Sequence, residues 1–355
     1  MGKFIKVGFM ILCVYLNKTG SDRNQKRLFL YLGILMVAGG LLATPAVPAA
    51  TWPEKGKNIT IIVNYAAGGT IDVAARLIAP YIEKELGTKV EVLVKAGAGG
   101  QIGLTELARA KPDGYTVLLS SWPAGITTYL NPDAKAIYKH ENFQPISAFA
   151  KQPWLMAAKA DSPFMMMKDI VEAARKDPAK APVGMSGAVM STSDIAIHAI
   201  MKQTGVKMRL VYFEGDAKAF PALMGGHVAT IFASTGTLVG PVKSGTARVI
   251  ALTGSDTLPY FPGATTLMSQ GFNVNLDSIR GLTGPAGMPK EAIAAYERVV
   301  KKATEDPEFV KRMDNQAAPV AFYNSEQYTK SYREQHVWIK PVFEELWKQQ
   351  QKEKK

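Results

Sequence analysis

The chain has 355 residues, 47% hydrophobic and 20% charged, with 42 Lys and Arg against 30 Asp and Glu for a formal charge of +12, and one cysteine. The basic surplus is spread along the chain, without the arginine-rich blocks or aromatic–basic alternation of a nucleic-acid surface, so no nucleic-acid partner is expected. A single thiol excludes a disulfide framework and a cysteine-built metal site.

In chain order, the first element is a leader. Arg23, Lys26 and Arg27 precede an apolar run at 28–42, and small residues follow up to Ala50. This is the layout of a secretory signal peptide cleaved near Ala50, which predicts an exported protein. The apolar run is shorter than the roughly 20 residues a membrane-spanning helix needs. Residues 1–22 are odd for a signal n-region and read as an over-extended translation start. Cys13 lies there, and Leu12 before it is not the small residue of a lipoprotein site. The leader (1–50) holds six basic residues and one acidic residue, so the remaining 305 or so residues carry a charge of about +7, and their number favours two lobes over one core.

From residue 58 onward, strand and helix patterns alternate. A β-branched run at 59–63 is followed by Tyr65-Ala-Ala-Gly-Gly69-Thr70-Ile71-Asp72, and then Ile71, Ala75, Ile78 and Ile82 recur at helical spacing. A second strand at 90–94 leads through Gly97-Ala-Gly-Gly100-Gln-Ile-Gly103 into a helix at 102–110. Such strand-to-helix glycine turns aim backbone N–H groups and helix N-termini into a crevice, which suits an anion. Asp113-Gly114 turns into a third strand at 115–119. Strands near 183–185, 208–213, 228–233 and 247–252, separated by helical stretches, continue the pattern and predict an α/β fold with mainly parallel sheets. A strand around 279–282, a helix to about residue 304, and a long final helix capped by Ser325 complete the chain. The apolar stripe Tyr328, Tyr332, Ile339, Val342 and Leu346 predicts that this last helix packs back across the first lobe.

The ordered set Tyr65-Ala-Ala-Gly-Gly69 with Asp72, Gly97-Ala-Gly-Gly100 with Gly103, Pro112-Asp-Gly-Tyr-Thr116, Leu223-Met-Gly-Gly-His-Val228, Lys243-Ser-Gly245 and Gly281-Leu-Thr-Gly-Pro-Ala-Gly287 resembles the periplasmic solute receptors of tripartite tricarboxylate transporters. The resemblance spans roughly residues 52–343. It implies a two-lobed periplasmic binding fold with two interlobe crossings, one lobe at 51–151 and 260–355 and the other at 152–259. The cleft between them would close on a small organic acid or amino acid, without a cofactor or metal, and integral-membrane transporter subunits would be the partner. The family holds its acid mostly through backbone amides and waters rather than an arginine.

Carried over residue by residue, the resemblance places the first-lobe site at Tyr65, Ala67, Gly68, Gly69, Thr70 and Asp72, with Ser120, Ser121 and Trp122 at a strand end. The second-lobe site falls on Ser186, Gly187, Met190 and Ser191, and on Phe213, Glu214, Gly215 and Asp216. Asp72 has a second reading, as a brace that satisfies the first N–H groups of its helix and holds the loop; Trp122 has one as a packing residue.

Departures from the family pattern concentrate in the second lobe. Val189 and Met190 stand where a Gly-Ser pair is usual, Asp194 replaces a histidine, and Glu214 and Asp216 add charge. Facing the cleft, these carboxylates would repel a tricarboxylate and favour a ligand with one carboxylate toward the first lobe and an amine, hydroxyls or a ring toward the second. Their competing role is to cap helices or face solvent.

An exported α/β enzyme acting on a small acid is the alternative. Gly97 to Gly103 sets its third glycine one position late for a dinucleotide fingerprint, and Ala188 replaces the last glycine of a nucleophile elbow around Ser186. Ser186 with His198 or His227 is the only nucleophile–base pair that can be assembled. The four histidines are scattered and form no metal-ligand spacing.

Overall fold

A computed structural model describes residues 52–353 apart from residue 188. The signal peptide, its cleavage point and the early start expected in 1–51 lie outside the described residues.

The first two βα units and the third strand form as the periodicity predicts, and a helix that no pattern above marks follows them. In chain order they are β1 (Ile59–Val63), α1 (Thr70–Leu86), β2 (Val90–Val94), α2 (Gln101–Arg109), β3 (Thr116–Trp122) and α3 (Ala124–Leu130). β1 lies between β2 and β3 and is parallel to both. Alternation along β1 sends Ile61 and Val63 to a core under α1, and Ile62 and Asn64 to the opposite face against α2.

β4 (Phe143–Lys159) is a 17-residue strand that no pattern above predicts. Through Pro153 it pairs antiparallel with β9 (Asp277–Pro285), and from Trp154 onward it pairs with β7 (Thr230–Ser234) and β8 (Ala247–Leu252). Its prolines sit where ladder bonding is already broken: Pro145 at a bulge and Pro153 where β4 changes partners. One strand thus belongs to both halves of the sheet. The chain returns between β8 and β9.

The second half holds α4 (Met167–Lys176), β5 (Val183–Ser186), α5 (Thr192–Thr204), β6 (Leu210–Phe213), α6 (Asp216–Met224) and α7 (Thr235–Lys243). β5 lies between β6 and β7 and is parallel to both. Each half therefore repeats the parallel βαβ arrangement, and β4 and β9 join the halves through antiparallel pairing. This is the two-lobed α/β architecture with two crossings.

After β9 come α8 (Lys290–Glu305), α9 (Pro307–Asp314), β10 (Val320–Tyr323) and α10 (Ser325–Glu353). Ser325 Oγ donates to the Pro145 carbonyl at 2.8 Å, anchoring the start of α10 on the first half. At 1.5 Å per residue its 29 residues span about 43 Å. That length carries it beyond the first half onto α5, where Glu345 pairs with Lys202 and Val342 and Leu346 line a groove with Met201 and Val206.

Candidate functional site

Strand register fixes where the candidate loops meet. The C-terminal end of β3 pairs Trp122 with Ile279 of β9, and Ile279 pairs with Lys151 of β4. The C-terminal end of β7 pairs Ser234 with Trp154 of β4. Both sets of parallel strands therefore end at the level where β4 passes between the halves, which is the crevice position at which open α/β sheets hold ligands.

The loop after β1 is exposed from Ala66 to Gly68. Gly68 takes φ +75°, a left-handed conformation that glycine adopts without a steric penalty. Asp72, 3% exposed, accepts from the Gly68 N–H at 2.8 Å and from Arg76 Nε at 3.2 Å, so it braces the loop from beneath. Burial alone would raise its pKa, but the Gly68 N–H and Arg76 outweigh burial and hold it below the usual carboxylate value. Gly69 at the N-cap of α1 provides no side-chain acceptor, so the first N–H groups of the helix remain available to a bound anion.

The second glycine turn has a packing role. A Cβ on Gly100 would lie 2.6 Å from Asn64 Nδ2, and one on Gly103 would lie 2.6 Å from Asn64 Cβ and 3.0 Å from its Cα. These glycines let α2 press directly onto the end of β1. Asn64 and Ser120, level with each other in the register and both 0% exposed, have side-chain polar atoms that meet no partner at hydrogen-bond geometry among the described residues. Beside them, burial pushes the Tyr65 phenol up to about 12.

Trp122 takes the packing role. It is 1% exposed, donates from Nε1 to Thr283 Oγ1 at 3.1 Å, and stands edge-on to Tyr332 with centroids 4.6 Å apart. Ser121 faces the other side of the sheet and hydrogen-bonds Ser278 Oγ.

In the second half, Ser186 and Phe213 end paired strands, with Gly187 and Gly215 opening the turns that follow. Gly215 has φ +92°. Met190 takes φ +68°, unusual for a side chain of its size, and its N–H donates to Asp194 Oδ2 at 2.8 Å. Ser191 caps α5 by accepting from the Asp194 N–H, and this reciprocal arrangement resembles a capping box.

The expected acidic wall does not form. Asp194, 0% exposed, is committed to the Met190 N–H and to the Tyr212 hydroxyl at 2.6 Å. Asp216 accepts from the Ser234 N–H and hydroxyl and from Thr237 Oγ1 at 2.6 Å, tying the start of α6 to the start of α7. Glu214 is 85% exposed and pairs with Lys218. Asp194 and Asp216 Oδ2 are thus engaged at the N-terminal ends of α5 and α7, where unpaired N–H groups and the positive dipole end attract a carboxylate.

The alternative catalytic pair also fails to assemble. Ser186 Oγ donates to the Phe232 carbonyl at 2.8 Å, and His198 Nε2 lies 3.5 Å from Asp194 Oδ1. No hydrogen bond joins Ser186 to a histidine among the described residues.

A residue absent from the sequence-based site stands at the crossing. Arg280 pairs with Ser121 on one side and Ala150 on the other, and is 6% exposed. Its Nη2 donates to Gln152 Oε1 at 2.6 Å, and Gln152 Nε2 donates to the Ala317 carbonyl at 2.5 Å. Arg280 Nε and Nη1 have no acceptor, and no carboxylate pairs with it among the described residues. The signal lay in the strand Ile279-Arg280-Gly281-Leu282, where alternation puts Arg280 on the same face as the buried Leu282.

The profile of the tripartite tricarboxylate transporter family receptor matches residues 74–347. The UPF0065 protein in the gbd 5′ region of Cupriavidus necator is 28% identical over 327 residues, covering 91% of this chain and 98% of its own. A TctC solute-binding protein from Polaromonas, solved without ligand, superposes with a TM-score of 0.75 at 27% identity, covering 83% of this chain and 100% of that one. MatC from Rhodopseudomonas palustris with bound malate shares the fold, with a TM-score of 0.63 at 22% identity over 81% of this chain and 99% of that one.

Proposed function

The chain belongs to the tripartite tricarboxylate transporter receptor family, and on that premise we propose that it is an exported, periplasmic solute receptor. It captures a small organic acid or amino acid between two lobes and delivers it to integral-membrane transporter subunits. The observation that carries this reading is the meeting of both sets of strand ends at the β4 crossing, because a ligand there touches both halves and favours the closed form by its differential affinity.

We place the first lobe at 51–151 and 260–355 and the second at 152–259. The partner change of β4 after Pro153 supports the first limit; at the second, 261–270 still packs on the second half, with the Leu267 N–H donating to the Leu252 carbonyl at 2.8 Å, and the chain rejoins the first half at Asp277. In this reading a ligand carboxylate meets the N–H groups of 67–70 and the uncapped start of α1, with Ser121 nearby, while the 186–191 and 213–216 turns close from the second lobe. Asp72 acts by bracing. With Asp194 and one oxygen of Asp216 engaged inside their own lobe, Glu214 is the one carboxylate of the three that stays exposed on the closing turn, so repulsion of a second ligand carboxylate is reduced.

A thermal-shift screen of residues 51–355 against malate, adipate, citrate, glutamate and benzoate tests the reading, since native-state binding raises Tm by mass action. The expected result is a saturable rise with at least one acid and its recovery unchanged. Consumption of the added acid would instead establish an enzyme, and no shift with any acid would remove the carboxylate-receptor reading.

A further inference from the structure

We propose that Arg280 is the cationic anchor of the ligand site, receiving one carboxylate of the solute on its unpaired N–H groups at the β4 crossing. The proposal rests on the receptor reading and adds to it a charged side chain where the family pattern supplies backbone amides.

The surroundings of Arg280 support this assignment. Arg280 is buried and carries no ion pair among the described residues, while three of its N–H donors, on Nε and Nη1, lack an acceptor. A buried charge without a partner is strongly disfavoured unless something compensates it. Burial pushes its pKa down to about 10, which leaves it a cation at neutral pH. Its one side-chain partner among the described residues, the Gln152 amide oxygen, is neutral.

Its placement indicates what would compensate it. Arg280, Ser121 and Tyr65 fall on one sheet face, since Ser121 pairs with Arg280 and the β1–β3 register puts Tyr65 two residues beyond the Val63 and Leu119 pair. That face is the one α1 covers, so the row lies at the end of the sheet beside the uncapped first turn of α1. Gln152 on β4 and Ser278 on β9, paired with each other, flank it where β4 passes between the halves. Separation of the halves about this strand gives a solute access to the guanidinium, and closure buries the resulting pair. Cation, hydroxyl and helix N-terminus all favour an anion, and an ionised carboxylate hydrogen-bonded to a guanidinium is among the stronger polar contacts available.

The test titrates wild type with malate, adipate, citrate, glutamate and benzoate by calorimetry, then titrates Arg280→Met and Arg280→Lys with the acid wild type binds most tightly. The expected result for Arg280→Met is a loss of affinity of about 30-fold or more with a melting temperature equal to or above wild type in the absence of ligand, because an unpaired buried charge has been removed. Arg280→Lys is expected to bind with intermediate affinity. Converting one carboxylate of that acid to its neutral amide should weaken binding to wild type far more than to Arg280→Met, a coupling that a merely structural arginine would not produce. Variants that bind as wild type does overturn the proposal and leave the receptor reading intact. Failure of both variants to fold assigns Arg280 to the core and overturns it as well. Wild type that binds none of the five acids overturns both readings.

Discussion

At the scale of single residues, the turn at 97–103 separates a sequence signal from its cause. Its glycines suggest an anion cradle, whereas Gly100 and Gly103 are demanded by the approach of α2 to Asn64. Gly103→Ala places its Cβ within 2.6 Å of Asn64 Cβ and within 3.2 Å of the Lys95 carbonyl oxygen, backbone that has little room to move. The substitution is expected to destabilise the protein by about 1–3 kcal/mol despite the better helix propensity of alanine. Denaturant unfolding would measure it, and an unchanged midpoint would show that α2 can shift away from β1. The same limit on legibility holds for charge. Asp194, Glu214 and Asp216 are visible as acidic residues in loops, but whether a carboxylate faces a ligand or caps its own helix depends on which N–H groups the fold leaves unpaired beside it. Arg280 is the converse case, a charge hidden in a strand whose meaning appears only when its neighbours on β3 and β4 are known.

At the scale of elements, β1, β2, β5 and β8 form close to where the apolar runs and turn residues place them, because each is short, β-rich and bounded by breakers. β4 is not legible for the opposite reason. It is long, carries Pro145 and Pro153, and is buried on both faces over much of its length, so it shows no simple alternation. The apolar stripe of α10 reveals a buried face but not the element that covers it. Part of that cover is aromatic: His140 stacks on Tyr332 with centroids 4.2 Å apart and lies 4.4 Å from the His336 ring. Burial, followed by His336 and Arg333, pushes the His140 pKa down to about 4 against the upward pull of Glu141, and burial also lowers His336. A depressed histidine pKa means that the fold holds the neutral ring. Its contribution is fully present above about pH 6.5 and is lost as pH falls toward 4, where the unfolded chain binds a proton that the folded chain refuses. Melting temperature is therefore expected to decline between pH 6.5 and 4.5. His140→Phe keeps the stack and should make that decline shallower, and an identical slope in the variant would place the acid sensitivity elsewhere.

At the scale of the whole molecule, the roughly 305 residues after the leader already favour two lobes, but the clasp across them emerges only from the packed fold. On the proposed function, closure about β4 would have to accommodate α10, which is anchored at Ser325 on the first half and held by Glu345 and Leu346 against α5 on the second. Pro341 lies between these anchorages, two residues after the fully buried Ile339 and one before Val342. Lacking an N–H, it leaves the Val337 carbonyl without its helical partner at a position where the Val337 side chain is 72% exposed, so water can satisfy the freed oxygen. The missing hydrogen bond makes this the point at which α10 bends most easily if its two parts follow different lobes. Pro341→Ala restores the bond and is expected to raise stability by about 1–3 kcal/mol, up to the full helix-interior cost of proline. The stiffer helix should also reduce the ligand-induced decrease in radius of gyration seen by small-angle scattering. A variant that gains stability yet compacts on ligand as fully as wild type would show that α10 moves as one rigid body with a single lobe, and that its contacts with the other lobe slide.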